Sequence, residues 1–535
     1  MLSLNCRTLF FETTLFFSLV HWALGIPTYQ WPDPRSRYID KVLYEDGPDL
    51  LVSGCTPRFN STISAQWLRV MFHDMSTHNV DDGTGGLDAS INFELERPQN
   101  IGEGQTQSLV DFMPFTTTFF GLADTIAFGA ALAVLGCGGP VIPFRAGRID
   151  ATSAGPATVP QPQEDLATHI ESFRRQGFNI TEMISLVACG HTLGGIRHAD
   201  FPLIVTDNDT DVALFDTTKN FDNVVVSQYL QNTSQDVLVV GPNVTTRSDF
   251  RIFSSDGNVT MRSFLNNETF FDTCANLIER MINTVPNGVT LTDPIDPLQY
   301  LVYQPLLSYQ NGTLIMTTAL RLINASDNPS RTITLFWADR RGSFCPSTGC
   351  SVQTTGTQFL TTNIYLSAKG YNATKYLFNA TINASTSISK FWFEINENDG
   401  SQPVAVDNGG SGFSIAQDSV FIDSLRSKTV FTSTDIFLKV VVAVRGDSNA
   451  TSVAMTTFDP TTPLFNPTPP FLPNITVMNL ELDESNPPEG GFTFFSGAAT
   501  QQVTTVNYTG SVVGGTTFNV NDFDLKSVTF DLEFE

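Results

Sequence analysis

Arg69 and His73 stand four residues apart in Ala65-Gln66-Trp67-Leu68-Arg69-Val70-Met71-Phe72-His73-Asp74. On a helix that spacing puts both side chains on one face. A guanidinium beside an imidazole sets a charge stabiliser next to a proton acceptor. Such a pair suits the cleavage of a small polar O–O bond. By itself such a pair is more often the solvated face of an ordinary helix, so the rest of the chain has to decide.

Four more groups bear on that decision. Asp74 is followed by Asp82-Gly83-Thr84-Gly85-Gly86-Leu87-Asp88-Ala89-Ser90. Asp74, the Gly86 carbonyl, Asp88 and Ser90 offer hard oxygen ligands close together, which suits calcium. The plain alternative is an acidic Gly-rich loop. Asn100, after Glu94 and Glu96, carries a carboxamide oxygen that can accept from one nitrogen of His73 and leave the other as a base. In Leu186-Val187-Ala188-Cys189-Gly190-His191-Thr192-Leu193-Gly194-Gly195, a histidine ends an apolar helix against Gly-rich turns. It is either a metal ligand or a satisfied core histidine. Arg247-Ser248-Asp249 supplies a carboxylate that can accept from the far nitrogen of His191, making the imidazole a more basic ligand.

The elements that must hold these groups differ between the two halves of the chain. Over residues 61–283 helix-like segments dominate. Ser61 or Thr62 can cap the segment carrying Arg69. Residues 109–135 are apolar with small side chains, like one or two buried helices. Residues 163–176, 181–189 and 269–282 also read as helices. After Asp293-Pro294-Ile295-Asp296-Pro297 the texture changes to Thr, Ser, Asn, Val and Phe. Strand-like runs occur at 333–337, 391–395 and 436–444. In a further run at 528–534, Val528, Phe530, Leu532 and Phe534 alternate with Thr529, Asp531 and Glu533, which predicts one buried and one wet face. Short strands between turn signals predict an all-β sandwich. A Pro-rich stretch, 459–473, divides this half again or crosses between sheets. The expected organisation is a secretory signal at 1–25, a mainly α-helical domain at 26–297 and a β-rich domain at 298–535.

At 535 residues the chain is long enough for two or more domains with sizeable cores. A formal charge of −25 argues against nucleic acid, whose phosphates need a basic partner surface. Arg7, the apolar run over 9–24 and Ala23-Leu24-Gly25 read as an export signal. No later run is long enough to span a bilayer. About fifteen Asn-x-Ser/Thr sequons, among them Asn60, Asn179, Asn243, Asn324, Asn379, Asn449 and Asn507, are glycosylation candidates in an exported chain. Six cysteines follow the signal: Cys55, Cys137, Cys189, Cys274, Cys345 and Cys350. An even number in an oxidising compartment predicts disulfides, but spacing does not choose the pairs.

Taken together, these motifs resemble the secreted haem peroxidases of the plant and fungal superfamily, over roughly residues 55–297. Arg69, Phe72, His73 and Asp74 match the Arg-x-x-Phe-His-Asp pattern. Gly86, Asp88 and Ser90 match the Gly-x-Asp-x-Ser calcium loop, and Asn100 the distal asparagine. Gly147-Arg148-x-Asp150 and Val159-Pro160-x-Pro162 match family loops. Gly190-His191-Thr192 matches the proximal motif, and Asp249 the proximal aspartate. Phe215 falls where the family packs an aromatic under the haem. Thr192, Asp216, Thr218 and Asp222 resemble a second calcium set.

The resemblance implies haem b held by His191, with Phe72, Pro160 and Phe215 against it, and two structural calcium ions. It implies hydrogen peroxide as oxidant, His73 as proton shuttle, Arg69 as charge stabiliser, and Asn100 and Asp249 as orienting groups. It implies a Cys55–Cys137 disulfide. Cys345 and Cys350 lie beyond it and can bridge locally. Cys189 is either a buried thiol or the partner of Cys274.

Departures from the family pattern narrow the donor. Manganese-oxidising members carry acids where this chain has Thr62, Gln66 and Arg197, and lignin-oxidising members carry a surface Trp where it has Leu186. A small phenolic or aromatic donor remains, in the extracellular space or cell wall. His78 and His198 read as surface or loop histidines, and His169 has no assigned role. The β-rich half either contacts cell-wall glycan, with Trp392 stacking on sugar, or holds Trp392 in its core and caps the helical half. The rival to an enzyme is an inactive surface-binding glycoprotein with a relic peroxidase fold.

Overall fold

The computed structural model describes residues 27–33, 35–324, 328–343, 350–360, 363–415, 419–446, 450–460, 468–512 and 517–534. The signal expected at 1–25, Cys345 and Asn449 lie outside the described residues.

The first half is helical. Helices α1 (Ser36–Tyr44), α2 (Asp49–Val52), α3 (Ile63–Met75), α4 (Glu103–Phe112), α5 (Leu122–Gly136) and α6 (Leu166–Arg175) come first. They are followed by α7 (Ile180–Gly190), α8 (Val224–Leu230), α9 (Val237–Val240), α10 (Ser248–Phe253), α11 (Val259–Ser263) and α12 (Asn267–Ile282). Helix α5 is apolar on every side, and every residue from Leu122 to Val134 is buried, as an all-round apolar helix requires. Its first turn has no cap of its own. Asp150 supplies one from the Gly147-Arg148-Ile149-Asp150 loop, accepting from Leu122 N and Ala123 N at 2.8 Å each. Arg148 of the same loop pairs with the buried Asp124 at 2.9 Å. The loop motif is therefore a clasp on the central helix.

The second half forms three sheets among the described residues. One runs Thr28–Tyr29, Val404–Val406, Lys390–Asn396, Thr332–Ala338, Ser351–Gln353, with Phe413–Ser414 also on Lys390–Asn396. A second runs Gly356–Phe359, Ala373–Asn383, Thr313–Ile323, Tyr300–Val302, with Leu306–Gln310 on Thr313–Ile323. These two share a core that includes Leu314, Met316, Leu335, Phe378, Phe391 and Phe393. The third, nine-stranded sheet spans Val420 to Phe534 and encloses its own core around Val440, Val442, Val453, Met455 and Tyr508.

Two expectations are corrected here. Trp392 is not core. The strand Lys390–Asn396 alternates, turning Phe391, Phe393 and Ile395 inward, so period two puts Trp392 on the opposite face. There it is half-buried and stacks on Phe336 at 5.9 Å. The last strand, Asp531–Phe534, has no buried face, since all four residues are exposed. It is the outer strand of its sheet, parallel to Lys428–Phe431, and Phe534 covers only the Phe431 ring, at 5.1 Å. Val528, just before it, is buried.

The β region is built into the helical region. Helix α13 (Ile364–Ala368) places Tyr365 fully buried in the helical core, where its hydroxyl donates to Ile142 O at 2.7 Å and its ring stacks on Tyr44. Arg321 is fully buried and pairs with Asp40 and Glu45 of the helical region at 2.6 Å each. In return Thr28–Tyr29 adds a parallel strand to the first sheet.

Candidate active site: a cavity between two histidine helices

Helix α3 begins where Thr62 caps it, the hydroxyl accepting from Ala65 N at 3.1 Å. Trp67, Leu68, Val70, Met71 and Met75 are buried, and Trp67 is fixed by Phe112 at 4.8 Å and by a 2.8 Å bond from Nε1 to Asp111. That packing sets the rotation of the helix, so Arg69, Phe72 and His73 line one cavity of about 320 Å³. On α7, a capping box of Asn179 and Glu182 fixes the start. The Cys189–Cys274 disulfide ties its last turn to α12. His191 follows at the C-cap and lines the same cavity. The second disulfide joins Cys55 to Cys137, as the resemblance implies.

His73 Nδ1 lies 2.8 Å from Asn100 Oδ1. Asn100 Nδ2 donates to Glu94 O at 3.1 Å, which orients the amide with its oxygen toward His73. An acceptor there requires the proton on Nδ1, leaving Nε2 with a free lone pair. Burial first, then the Arg69 charge, push the His73 pKa down to about 3, against the opposing Asn100 bond. Arg69 donates to Ile101 O at 3.0 Å and lies 5.7 Å from the Phe201 ring. Burial lowers its pKa to about 10, with Asp200 opposing, so it remains a cation at neutral pH.

Lining the same cavity, His191 has Nδ1 2.5 Å from Asp249 Oδ2, and Ser248 Oγ donates to Asp249 Oδ1 at 3.0 Å. With Nδ1 engaged, Nε2 is the nitrogen left to ligate. The Phe215 ring stacks on the imidazole at 4.1 Å and 13°. Pro160, Leu193, Ile196, Phe201 and Ile204 add apolar wall. A Cβ at Gly190 would meet no atom within 4 Å. A mostly apolar cavity lined by an imidazole with a free Nε2, by a second imidazole held as a base and by a guanidinium has the chemistry a planar redox macrocycle such as haem b needs.

Two clusters of oxygens flank these helices. Asp74, fully buried, accepts from Asp88 N, Ala89 N and Ile91 N at 2.8–3.0 Å. Burial and the neighbouring Asp88 push its carboxyl well above the usual carboxylate range. Ser90 Oγ is buried with no hydrogen-bond partner, and the Gly86 carbonyl lies 3.5 Å from Thr77 Oγ1. In the second cluster Thr218 Oγ1 bridges Asp216 and Asp222 at 3.2 and 3.1 Å. Thr192 Oγ1 donates to Asp222 O at 2.5 Å, and Asp216 Oδ2 is buried with no partner. Burial and Asp222 push Asp216 up to about 6. Crowded acids with orphaned oxygens are the donor set a hard cation takes.

The positions that departed from the metal-oxidising pattern are otherwise engaged. Thr62 caps α3. Gln66 accepts from Arg58 Nε at 2.6 Å. Arg197 lies between Glu103 at 3.3 Å and Asp211 at 3.7 Å. Leu186 is buried.

Sequence reasoning missed three groups. Glu94 is buried, takes Gly155 N at 2.7 Å and holds Asn100 through its own carbonyl. Asp236 is buried, and the loss of solvent, then the charge of the neighbouring Asp249, push its carboxyl well above the usual range. His169, left without a role, is buried on α6 and lines the cavity, with Nε2 3.0 Å from Gln161 O. The only sequence signal for any of them was the closeness of Glu94 to Asn100. His78 and His198 are half-buried, each with Nδ1 against a backbone carbonyl, Gly85 O at 3.0 Å and Val205 O at 2.7 Å.

Residues 53–267 match the family described as Peroxidase. The chain is 38% identical over 340 residues to a WSC domain-containing protein of Arthroderma benhamiae, covering 61% of this chain and 46% of that protein. It is 35% identical over 142 residues to putative L-ascorbate peroxidase 6 of Arabidopsis thaliana, covering 25% and 41%. It is 32% identical over 134 residues to a mitochondrial cytochrome c peroxidase of Yarrowia lipolytica, covering 24% and 39%. The chain spans less than half the length of these relatives. Among the described residues no helix is long and apolar enough to cross a membrane.

Proposed function

We propose that this chain is a secreted haem peroxidase that reduces hydrogen peroxide and oxidises small phenolic or aromatic donors by one-electron steps. The observation that carries the reading is a pair of histidines lining one mostly apolar cavity: His73 backed by Asn100 and His191 backed by Asp249.

His191 would hold the iron of haem b, with Phe72, Pro160 and Phe215 against the macrocycle. Bound haem would supply the redox centre at which the peroxide O–O bond is reduced. His73 Nε2 accepts a proton from the peroxide oxygen nearer the centre and returns it to the farther oxygen, which leaves as water. Its depressed pKa keeps it a neutral base in acid. Arg69 stabilises the negative charge that develops on the leaving oxygen. Asn100 fixes the tautomer of His73, and Asp249 fixes that of His191, leaving its Nε2 free to ligate. Calcium at Asp74, Gly86, Asp88 and Ser90, and at Thr192, Asp216, Thr218 and Asp222, would hold the ends of the two histidine helices. Thr62, Gln66 and Arg197 offer no metal-binding acid, which leaves an organic donor at the cavity mouth. Two disulfides and the sequons suit an exported glycoprotein.

The test is a Soret band in the purified protein together with peroxide-dependent dye oxidation. His191→Ala should abolish the band. A chain that folds normally, takes up no haem and oxidises no dye would sink the proposal.

A further inference from the structure

The β region meets the loop between Asp74 and Asn100 at Asn92 and Phe471. Asn92 Nδ2 donates to Phe471 O at 2.8 Å, and Phe471 N donates to Asn92 Oδ1 at 2.7 Å. The side-chain amide of Asn92 thus pairs with one residue's backbone as a neighbouring strand would. Both residues are buried, and the Phe471 ring belongs to the helical core. Two reciprocal buried hydrogen bonds are costly to break, because each leaves a buried polar group unpaired.

Asn92 sits in the short 3-10 turn Ser90–Phe93, midway along a stretch that ends on His73 from both directions. Toward the N-terminus, Ile91 N, Ala89 N and Asp88 N all donate to Asp74, the residue next to His73. Toward the C-terminus, Glu94 holds Asn100, which holds His73 Nδ1. The other contacts described between the two regions fall elsewhere. Among the described residues they include the N-terminal strand Thr28–Tyr29, α1 (Arg321 with Asp40, Lys41 with Asp524), α2 (Ile364 N to Asp49), Ile142 (Tyr365) and the segment between α4 and α5 (Thr504 Oγ1 to Thr116 O, 3.0 Å).

We propose that Asn92 and Phe471 are positioning residues. The β region clamps the distal loop through them, and so fixes the orientation of His73. This rests on the reading of His73 as the proton shuttle, and its test has one arm that does not.

The experiment compares full-length Asn92→Ala with Thr504→Ala, which also removes a contact between the regions. Hydrogen exchange of the ligand-free protein is measured over residues 88–100. Exchange there should rise about tenfold to a hundredfold in Asn92→Ala and stay at the wild-type rate in Thr504→Ala, whatever either does to the melting temperature. In the haem-loaded protein, reaction with hydrogen peroxide should slow about tenfold in Asn92→Ala only. Unchanged exchange in Asn92→Ala, or equal acceleration in both variants, overturns the clamp. Faster exchange with an unchanged peroxide rate overturns its effect on His73. A wild-type chain that takes no haem defeats the peroxidase reading, and the exchange arm still decides the clamp. If Asn92→Ala does not fold, Asn92→Ser carries the same comparison.

Discussion

At the residue scale, the site works by pairing each histidine with a partner that commits one ring nitrogen and frees the other. His73 has a carboxamide behind it and stays neutral. His191 has a carboxylate behind it and keeps Nε2 free to ligate. His73→Leu should therefore keep haem but slow the peroxide step roughly a hundred- to ten-thousand-fold, measured by rapid mixing. The same burial gives a pH prediction. With its pKa near 3 in the fold, against an ordinary value of 6.5, His73 remains a base across the mildly acidic range. The peroxide step should hold its rate from pH 7 to pH 4 and fall only as the pH nears 3. For stability the unfolded chain binds the proton more readily, so this group's contribution is complete above 6.5 and is lost as pH falls from there toward 3. Asp216 runs the other way. Its carboxyl, raised to about 6, disfavours the cation-free fold as pH rises from 3.8 through 6, and a bound cation removes that penalty. Calcium uptake should release protons near pH 6, seen by calorimetry in buffers of different ionisation heat.

At the element scale, the two histidine helices are held by different means. Helix α3 is set by Thr62 and by the Trp67–Phe112–Asp111 packing. Helix α7 is set by its capping box and by the Cys189–Cys274 bridge, which closes an 85-residue separation. Replacing both cysteines with serine should cost about 2–4 kcal/mol and lower the melting temperature by about 5–15 °C. Thermal scans with and without reductant check this, and an unchanged midpoint would contradict it. The longer helices α3, α5, α6, α7 and α12 were legible in the sequence, whereas α1, α2 and the short α8 to α11 were not. The strands were legible as alternation, but the alternation of 391–395 already put Trp392 opposite Phe391 and Phe393, and only its size suggested core. The alternation at 528–534 failed for a different reason. A strand at the margin of a sheet has no layer to bury its apolar face against.

At the scale of the whole molecule, the β region is part of the helical core rather than an appendage. Tyr365 and Phe471 fill space in that core, and Arg321 satisfies the buried Asp40 and Glu45. Arg321→Ala should destabilise by about 3–5 kcal/mol, because it leaves two buried acids uncompensated. Denaturant unfolding of the full-length protein measures it. A chain ending near residue 297 should bind an apolar dye and aggregate, since it exposes the surface that Tyr365 and Phe471 cover. A soluble, dye-free truncated chain would show that the two regions do not depend on each other.

By itself the sequence determined the chemistry available. Residue types and spacing placed Arg69 and His73 on one helical face, set the Asp74 and Asp216 loops beside the two histidines, and marked where helix gives way to strand. Those are local properties, written in periods of 3.6 and 2 and in the residues that cap and turn. Only the tertiary structure decided what faces what. It paired Cys189 with Cys274, buried Glu94 behind Asn100 and Asp236 behind Asp249, turned His169 to the cavity, and brought Phe471 to Asn92 across 379 residues. Burial and proximity between distant segments arise from packing, and no local pattern of residues encodes them.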